Sequence, residues 1–142
     1  MLFRSTGTAN QTYRLSLNTA AALIVEKHAV PELTVNSSAA SGGILNSTAT
    51  VTLIAAVASQ RGYLSSMQIM SEALATASEL LVAGTTVGWR TKITTAGIPG
   101  GLNVVFDPPL RGSAVNTAIT INMVTASATG AVYVNAQGFY GN

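Results

Sequence analysis

The chain has 142 residues and a mass of 14.5 kDa, a length that fits a single domain. It contains no cysteine and one histidine, His28, which excludes disulfide frameworks, thiol catalysis and cysteine-based zinc sites. Only 8% of the residues are charged, against roughly 25% in an average protein. The net charge of +2 comes from scattered basic residues. Because a nucleic-acid binder usually concentrates such residues on one surface, no nucleic-acid partner is expected.

The apolar segments argue against a membrane partner and against export. The longest apolar runs, Ala20–Val25 and Leu53–Val57, are shorter than the ~18 residues of a membrane-spanning helix. Residues 1–10 lack the apolar core of a signal peptide, so we expect the protein to act without export through the secretory pathway.

Residues 1–45 are predicted to form an N-terminal arm or extension with short strands. Residues 1–11 are mostly polar, but Leu2 and Phe3 place two large apolar side chains near the tip. Such a segment is either a frayed terminus or an arm that docks its apolar tip on a neighbouring molecule. The sequence leaves both interpretations open.

Two strand signals and a linker follow in this extension. Tyr13, Leu15 and Leu17 alternate with polar residues, which predicts a half-buried strand. Ala20–Val25 fits either a strand or a short helix. Asn36–Asn46 is rich in Ser, Ala and Gly, which is typical of a linker before a compact unit.

The next two segments are predicted to be strands. Thr48–Ala58 is rich in Thr and Val, residues that favour strands. A turn at Ser59–Gly62 leads into a strand over Tyr63–Ser71, in which period-two alternation places Tyr63 and Met67 on the same face.

The connection over residues 72–82 fits two structures. Leu74 and Leu81 match helical spacing, and Gly84 would then cap the helix. We predict instead an irregular or one-turn helical connection, with a strand that resumes at Leu80.

Thr85–Thr94 is predicted to be a strand with Val87, Trp89 and Ile93 on one side. Because its neighbours on that face are apolar, we interpret Trp89 as a core residue rather than an exposed platform for a sugar ring. The glycine-rich segment Ala96–Gly101 is predicted to be a turn, since no helix start or Lys-Ser/Thr pair follows it as in a phosphate-binding loop.

The C-terminal third contains three further predicted strands. Leu102–Phe106 is expected to end at Asp107, which precedes two prolines. Ala118–Met123 alternates cleanly, with Ile119, Ile121 and Met123 on its apolar face. Thr125–Gly130 then turns the chain, and Ala131–Phe139 is expected to return antiparallel.

Short strands separated by Gly, Pro and Asn turns are typical of a sandwich or small barrel. We therefore predict an all-β fold: an antiparallel β-sandwich or jelly roll over residues 46–142, with an extended N-terminal arm. No fixed repeat that would indicate a solenoid is present.

The sequence shows no convergent set of reactive groups. His28 has only Glu26 and Glu32 as local carboxylates, and this trio is interpreted as a solvated patch. Glu72 and Glu79 could share a helical face, but nothing in the sequence indicates a sugar cleft between them. We expect no enzyme activity, no catalytic residue, no metal ligand and no cofactor.

The order of segments over Thr48–Tyr140, about two-thirds of the chain, carries a family resemblance. It comprises the Val-rich strand Val51–Val57, the segment Val87–Trp89, the segment Asn103–Pro108 after a glycine-rich turn, and the final strands from Ala118. This order resembles small jelly-roll or sandwich proteins of tailed-phage virions, especially head decoration (cement) proteins. The resemblance rests on order and composition, without a catalytic motif.

The resemblance implies a virion structural protein on the outer capsid surface, made in the host cytoplasm. Such a protein would bind the major capsid protein, stabilise contacts between capsid subunits and associate with itself as a homotrimer. Because clamping needs buried apolar anchors, the large side chains near the two ends of the chain are the expected contact residues. The expected capsid contacts are Leu2, Phe3, Arg4 and Tyr13, and the expected self-association residues are Phe139 and Tyr140.

A tail, collar or fibre component is the alternative interpretation. In that case the protein would be a receptor-binding module that recognises surface glycans. It would then expose aromatic side chains around Tyr133–Tyr140.

Overall fold

The computed structural model describes the backbone of residues 13–17, 23–27, 34–38 and 44–141, and the side chains of residues 45–141. Within these ranges all helical or extended structure is β-strand, so the all-β prediction is confirmed. The strands are β1 (Tyr13–Leu17), β2 (Leu23–Lys27), β3 (Thr34–Ser38), β4 (Ile44–Leu45), β5 (Val51–Ile54), β6 (Arg61–Ser71), β7 (Ser78–Ala83), β8 (Trp89–Ile93), β9 (Ile98–Arg111), β10 (Ile119–Met123) and β11 (Val132–Gly141).

The chain divides into two compact units, Met1–Thr34 and Val35–Asn142. In the smaller unit, β1 pairs antiparallel with β2, with Tyr13 opposite Lys27. The predicted strand that ends at Leu17 is confirmed. Of the segment that fits either a strand or a helix, residues 23–25 lie in strand β2, which extends to Lys27, and residues 20–22 lie outside the described residues.

The larger unit contains two antiparallel sheets. Sheet I has the order β5-β10-β7-β8, and sheet II has the order β3-β11-β6-β9, with β4 also paired to β11. Strands β4 to β11 form four nested pairs: β4 with β11, β5 with β10, β6 with β9, and β7 with β8. A long hairpin rolled up in this way, with alternate pairs in opposite sheets, is an eight-stranded jelly roll. The predicted sandwich or jelly roll is therefore confirmed.

The inner faces of the two sheets enclose one hydrophobic core. β10 contributes Ile119, Ile121 and Met123, each with 0% exposure, so its predicted alternation is confirmed. Fully burying one Leu or Ile side chain stabilises the fold by about 1.5–3 kcal/mol. The other core residues are Leu45, Leu53, Ile54, Leu64, Met67, Ile69, Leu74, Leu80, Val82, Ile93, Val132, Val134 and Ala136.

The predicted boundaries of β9 are wrong at both ends. The strand runs from Ile98 to Arg111, through the predicted glycine-rich turn and through the two prolines. Ser66 pairs with Val105 but Leu64 pairs with Leu110, so Phe106–Pro109 bulge out of the ladder. β9 is an edge strand of sheet II, and an edge strand tolerates prolines because half of its N–H groups need no strand partner.

The same irregular register changes the predicted face of β6. Leu64 is buried together with Met67, whereas Tyr63 lies on the outer face, because the register shifts between Leu64 and Ser66. Tyr63 and Met67 therefore do not share a face, as perfect alternation had predicted.

The connection after β6 is irregular within residues 72–77, and β7 begins at Ser78, two residues before the predicted position. Leu74 is buried here without a helix, because its backbone N–H donates to the carbonyl of Thr95 and holds the loop over the core. The Ser78 hydroxyl donates to the carbonyl of Thr125 at 2.7 Å, which ties the loop to the turn after β10.

Strand β10 and strand β11 do not form a hairpin. β10 lies between β5 and β7 in sheet I, whereas β11 lies in sheet II beside β6. The predicted turn over residues 125–130 is therefore a crossover between sheets, which is the arrangement that a jelly roll requires.

Candidate interaction surface

Most of the expected capsid contacts lie outside the described part of the chain. Leu2, Phe3 and Arg4 fall among residues that the structure does not describe. Tyr13 is the first residue of β1, opposite Lys27, and only its backbone is described. The predicted roles of these four residues remain predictions.

The two expected self-association residues make contacts within their own unit. The ring of Phe139 stacks on Tyr63, with centroids 5.0 Å apart and ring planes inclined by 4°. The Tyr140 hydroxyl donates to the carbonyl of Ala55 at 3.0 Å. Burial raises the pKa of the Tyr140 hydroxyl, because the charged phenolate loses hydration. These contacts connect β11 to β6 and to the loop after β5.

The predicted core position of Trp89 is partly confirmed. Its side chain is half-buried and packs against the core, with its ring edge-on to Phe106 at a centroid distance of 6.0 Å. Val87, which was predicted on the same face, is 69% exposed because β8 begins only at Trp89.

The outer face of sheet II carries a cluster of uncharged polar side chains that the sequence analysis did not identify. Gln68 on β6 lies between Asn103 on β9 and Asn135 on β11 in the strand register, so three amides stand side by side. We call this surface the amide face. Its residues are Ser66, Gln68, Met70, Asn103, Val105, Tyr133, Asn135 and Gln137.

Hydrogen bonds within the amide face orient some of its side chains. The Ser66 hydroxyl donates to Oε1 of Gln137 at 3.3 Å, and the Ser65 hydroxyl donates to the backbone carbonyl of Gln137 at 2.9 Å. At one end of the face, the Tyr133 hydroxyl donates to Oε1 of Glu72 at 3.1 Å. This hydrogen bond, together with the negative charge of Glu72, raises the pKa of Tyr133.

The amide face also exposes two large apolar side chains. Met70 is 53% exposed and Val105 is 77% exposed. The other large apolar residues with high exposure, Val87, Val115 and Val124, lie between strands. Met70 and Val105 stand on a strand face rather than in a loop, so a partner that covers the amide face would bury both.

Among the residues whose side chains the structure describes, the charged ones near the amide face stand at its two ends. At one end Arg111 lies beside Tyr63, and Arg61 follows at the start of β6. Asp107 lies on the bulge of β9 near this end, and Glu72 follows the last residue of β6 at the opposite end. The face is therefore neutral in the middle, basic at one end and acidic at the other.

The outer face of sheet I has a different character. Glu79 on β7 is adjacent to Lys92 on β8, and Arg90 bonds to Glu79 at 3.4 Å. Such an exposed ion pair contributes at most about 1 kcal/mol. The two outer faces of the jelly roll are thus distinguishable by charge.

The described residues contain no group of three or more His, Asp or Glu that could hold a metal ion. In the same part of the chain, no helix is long and apolar enough to cross a membrane. Each buried polar side chain described has a hydrogen-bond partner.

Comparison with known proteins gives no match. No protein-family model, no curated protein and no solved structure shows significant similarity to the chain.

Proposed function

We propose that the chain is a structural protein of a phage virion, a decoration (cement) protein that binds the outside of the capsid and stabilises contacts between major capsid subunits. The observation that carries this proposal is the jelly-roll strand order combined with an outer face on sheet II whose centre is uncharged. Jelly rolls serve widely as capsid and lectin domains, and fold alone does not fix function.

The character of the amide face supports a binding role over a catalytic one. Interface centres are depleted of charged residues and enriched in aromatic residues and Met. Met70 and Tyr133 stand on the amide face among four amides, with charges only at its ends. Burial of such a surface against a neighbour requires the desolvation of few charges.

In this proposal the two units have separate tasks. The N-terminal unit attaches the protein to the major capsid protein through Leu2, Phe3, Arg4 and Tyr13. The jelly roll carries the contacts between copies, which associate as a homotrimer.

Location in the particle tests the proposal. Virions purified from the phage that encodes this chain are imaged by electron cryomicroscopy, and the copy number is determined by quantitative mass spectrometry. A decoration protein occupies the outer head surface in tens to hundreds of copies. Density restricted to the tail, or the absence of the chain from purified virions, would contradict it.

A second candidate is a tail, collar or fibre module that binds surface glycans. Its support is the position of Tyr133 on the amide face beside Asn135, since an aromatic ring with adjacent amides is suited to a sugar ring and its hydroxyls. Binding of the purified protein to a glycan array, lost in Tyr133→Ala, would favour this candidate. An array without binding would leave the capsid proposal in place.

A further inference from the structure

We propose that two copies of this chain pair through their amide faces, with the strands of one copy antiparallel to those of the other. The partner is thus a second copy, and the paired surface is the outer face of β6, β9 and β11. The inference deepens the self-association part of the proposed function and does not depend on capsid attachment.

The chemistry of the face makes it complementary to itself. Each Asn or Gln amide carries both donors and an acceptor, so two identical amide surfaces can bond to each other. A face with a net charge at its centre would repel its own copy. The middle of the face carries the Gln68 row and the Ser66 row, so a two-fold axis between these rows places Ser66 opposite Gln68 and Asn135 opposite Gln137 and brings uncharged hydrogen-bonding groups together.

The charges at the two ends select one of two pairing directions. If like ends met, Glu72 would face Glu72 and the arginines would face each other. In the opposite direction, Glu72 of one copy faces the end that carries Arg61 and Arg111 of the other. Because Asp107 leaves that end with a net positive charge of one, the contact is still attractive at both ends. Electrostatic complementarity of this kind fixes register and orientation.

The outer face of β6, β9 and β11, which extends beyond the amide face to its charged ends, is large enough for such a pair. β6 has 11 residues. At about 3.3 Å per residue and about 4.8 Å between strands, three strands of this length cover roughly 36 Å by 14 Å. A pair would bury about 1,000 Å² in total, which reaches the lower limit of a specific interface. Val105 and Met70, the exposed apolar residues of the face, would then be covered.

Two matched lysine variants test where the copies meet. Met70→Lys/Val105→Lys places two positive charges on each amide face, and Val87→Lys/Val124→Lys makes the same change at exposed apolar residues between strands. All four side chains are at least 46% exposed, so both variants are expected to fold. Circular dichroism checks this, and sedimentation equilibrium of the full chain gives the molar mass.

We expect the wild type and the Val87/Val124 variant to have a mass that is an even multiple of the chain mass. A monomer becomes a dimer, and a trimer becomes a hexamer, through this added contact. The Met70/Val105 variant is expected to have half that mass, with a dissociation constant raised about 100-fold or more by repulsion. A wild type that stays monomeric or strictly trimeric, or an equal effect of both variants, would overturn the inference.

Charge reversal tests the direction of pairing. Glu72→Arg places like charges opposite each other in the antiparallel pair, and we expect association at least about tenfold weaker. Adding Arg61→Glu and Arg111→Glu exchanges the charges of the two ends and should restore it. Glu79→Arg is the control, because it makes the same charge change on the outer face of sheet I. Unweakened association of Glu72→Arg would exclude this direction. Virion location is measured separately, so a failed pairing test leaves the capsid proposal intact.

Discussion

Gly84 and Gly100 differ in how closely the backbone is surrounded. Gly84 follows β7 with a φ of +80°, and a Cβ atom there would overlap the backbone carbonyl oxygen of Ala118. Gly100 lies within β9, and nothing lies within 4 Å of the position that its Cβ would occupy. Glycine is therefore sterically required at position 84, whereas position 100 has room for a larger residue.

We predict that Gly84→Ala lowers the free energy of unfolding by about 1–3 kcal/mol, because the alanine must adopt a left-handed backbone next to a carbonyl group. Gly100→Ala should change it by less than about 0.5 kcal/mol, as is usual at an open surface position. Urea denaturation followed by circular dichroism measures both. Equal urea midpoints for the two variants would show that the turn at Gly84 can accommodate a Cβ atom without loss of stability.

Tyr140 gives a pH-dependent prediction at the same scale. Its hydroxyl donates to Ala55, and burial raises its pKa above the ordinary value of 10.0. The folded state therefore favours the protonated phenol, so this stabilisation is complete below pH 10 and is lost as the pH rises through the folded-state pKa.

We expect Tyr140→Phe to reduce the free energy of unfolding at pH 7 by about 1 kcal/mol, the usual net contribution of one hydrogen bond. The difference between wild type and variant should shrink as the pH rises above 10, because the phenolate has no proton to donate. Urea titrations at pH 7 and in strongly alkaline buffer measure it. A difference that grows in alkali would have the wrong sign for this mechanism.

At the scale of elements, β8 and β9 are edge strands of different sheets, and their aromatic side chains meet. Trp89 on β8 lies edge-on to Phe106, which stands on the bulge of β9. The bulge and its prolines also interrupt the free edge of β9, and such features discourage pairing with another chain along that edge.

We predict that Trp89→Ala lowers the free energy of unfolding by about 2–3 kcal/mol, somewhat less than the ~3–5 kcal/mol typical of fully buried Trp. Val87→Ala, only two residues away, should be nearly neutral because Val87 is 69% exposed. Thermal unfolding followed by circular dichroism compares the two variants. Tryptophan fluorescence is unsuitable because Trp89→Ala removes the only tryptophan. A small effect of Trp89→Ala would mean that Phe106 and its neighbours keep the core covered without the Trp89 side chain.

The elements that could be predicted are those in which burial of one face leaves a simple pattern. The strand Ile119–Met123 is one, since its apolar side chains alternate and are all buried. The centre of β9 could be predicted but its two ends could not, because the tolerance of an edge strand for two prolines depends on which neighbouring strands it lacks. The amide face could not be predicted either. Outward polar positions such as Gln68 and Asn135 look like any solvated strand until the register places them together.

At the scale of the whole molecule, the jelly roll is complete within the larger unit. All eight of its strands lie after residue 43, and the described core extends from Leu45 to Ala136. Its stability should therefore not require the smaller unit, Met1–Thr34.

We predict that a chain of residues 35–142 folds alone, with a thermal midpoint within about 5 °C of the full chain, since a loss of 1 kcal/mol shifts the midpoint of a domain of this size by about 4–8 °C. β3 is kept in this chain except for Thr34, so the edge of sheet II beside β11 remains covered.

The same truncation should abolish attachment to virions, whereas it should leave pairing through the amide face unchanged. Differential scanning calorimetry, co-sedimentation with virions and sedimentation equilibrium measure the three properties on one sample. If the truncated chain did not fold, the N-terminal unit would be part of the fold rather than an attached arm. If it folded and still bound virions, the jelly roll itself would be the capsid-binding element.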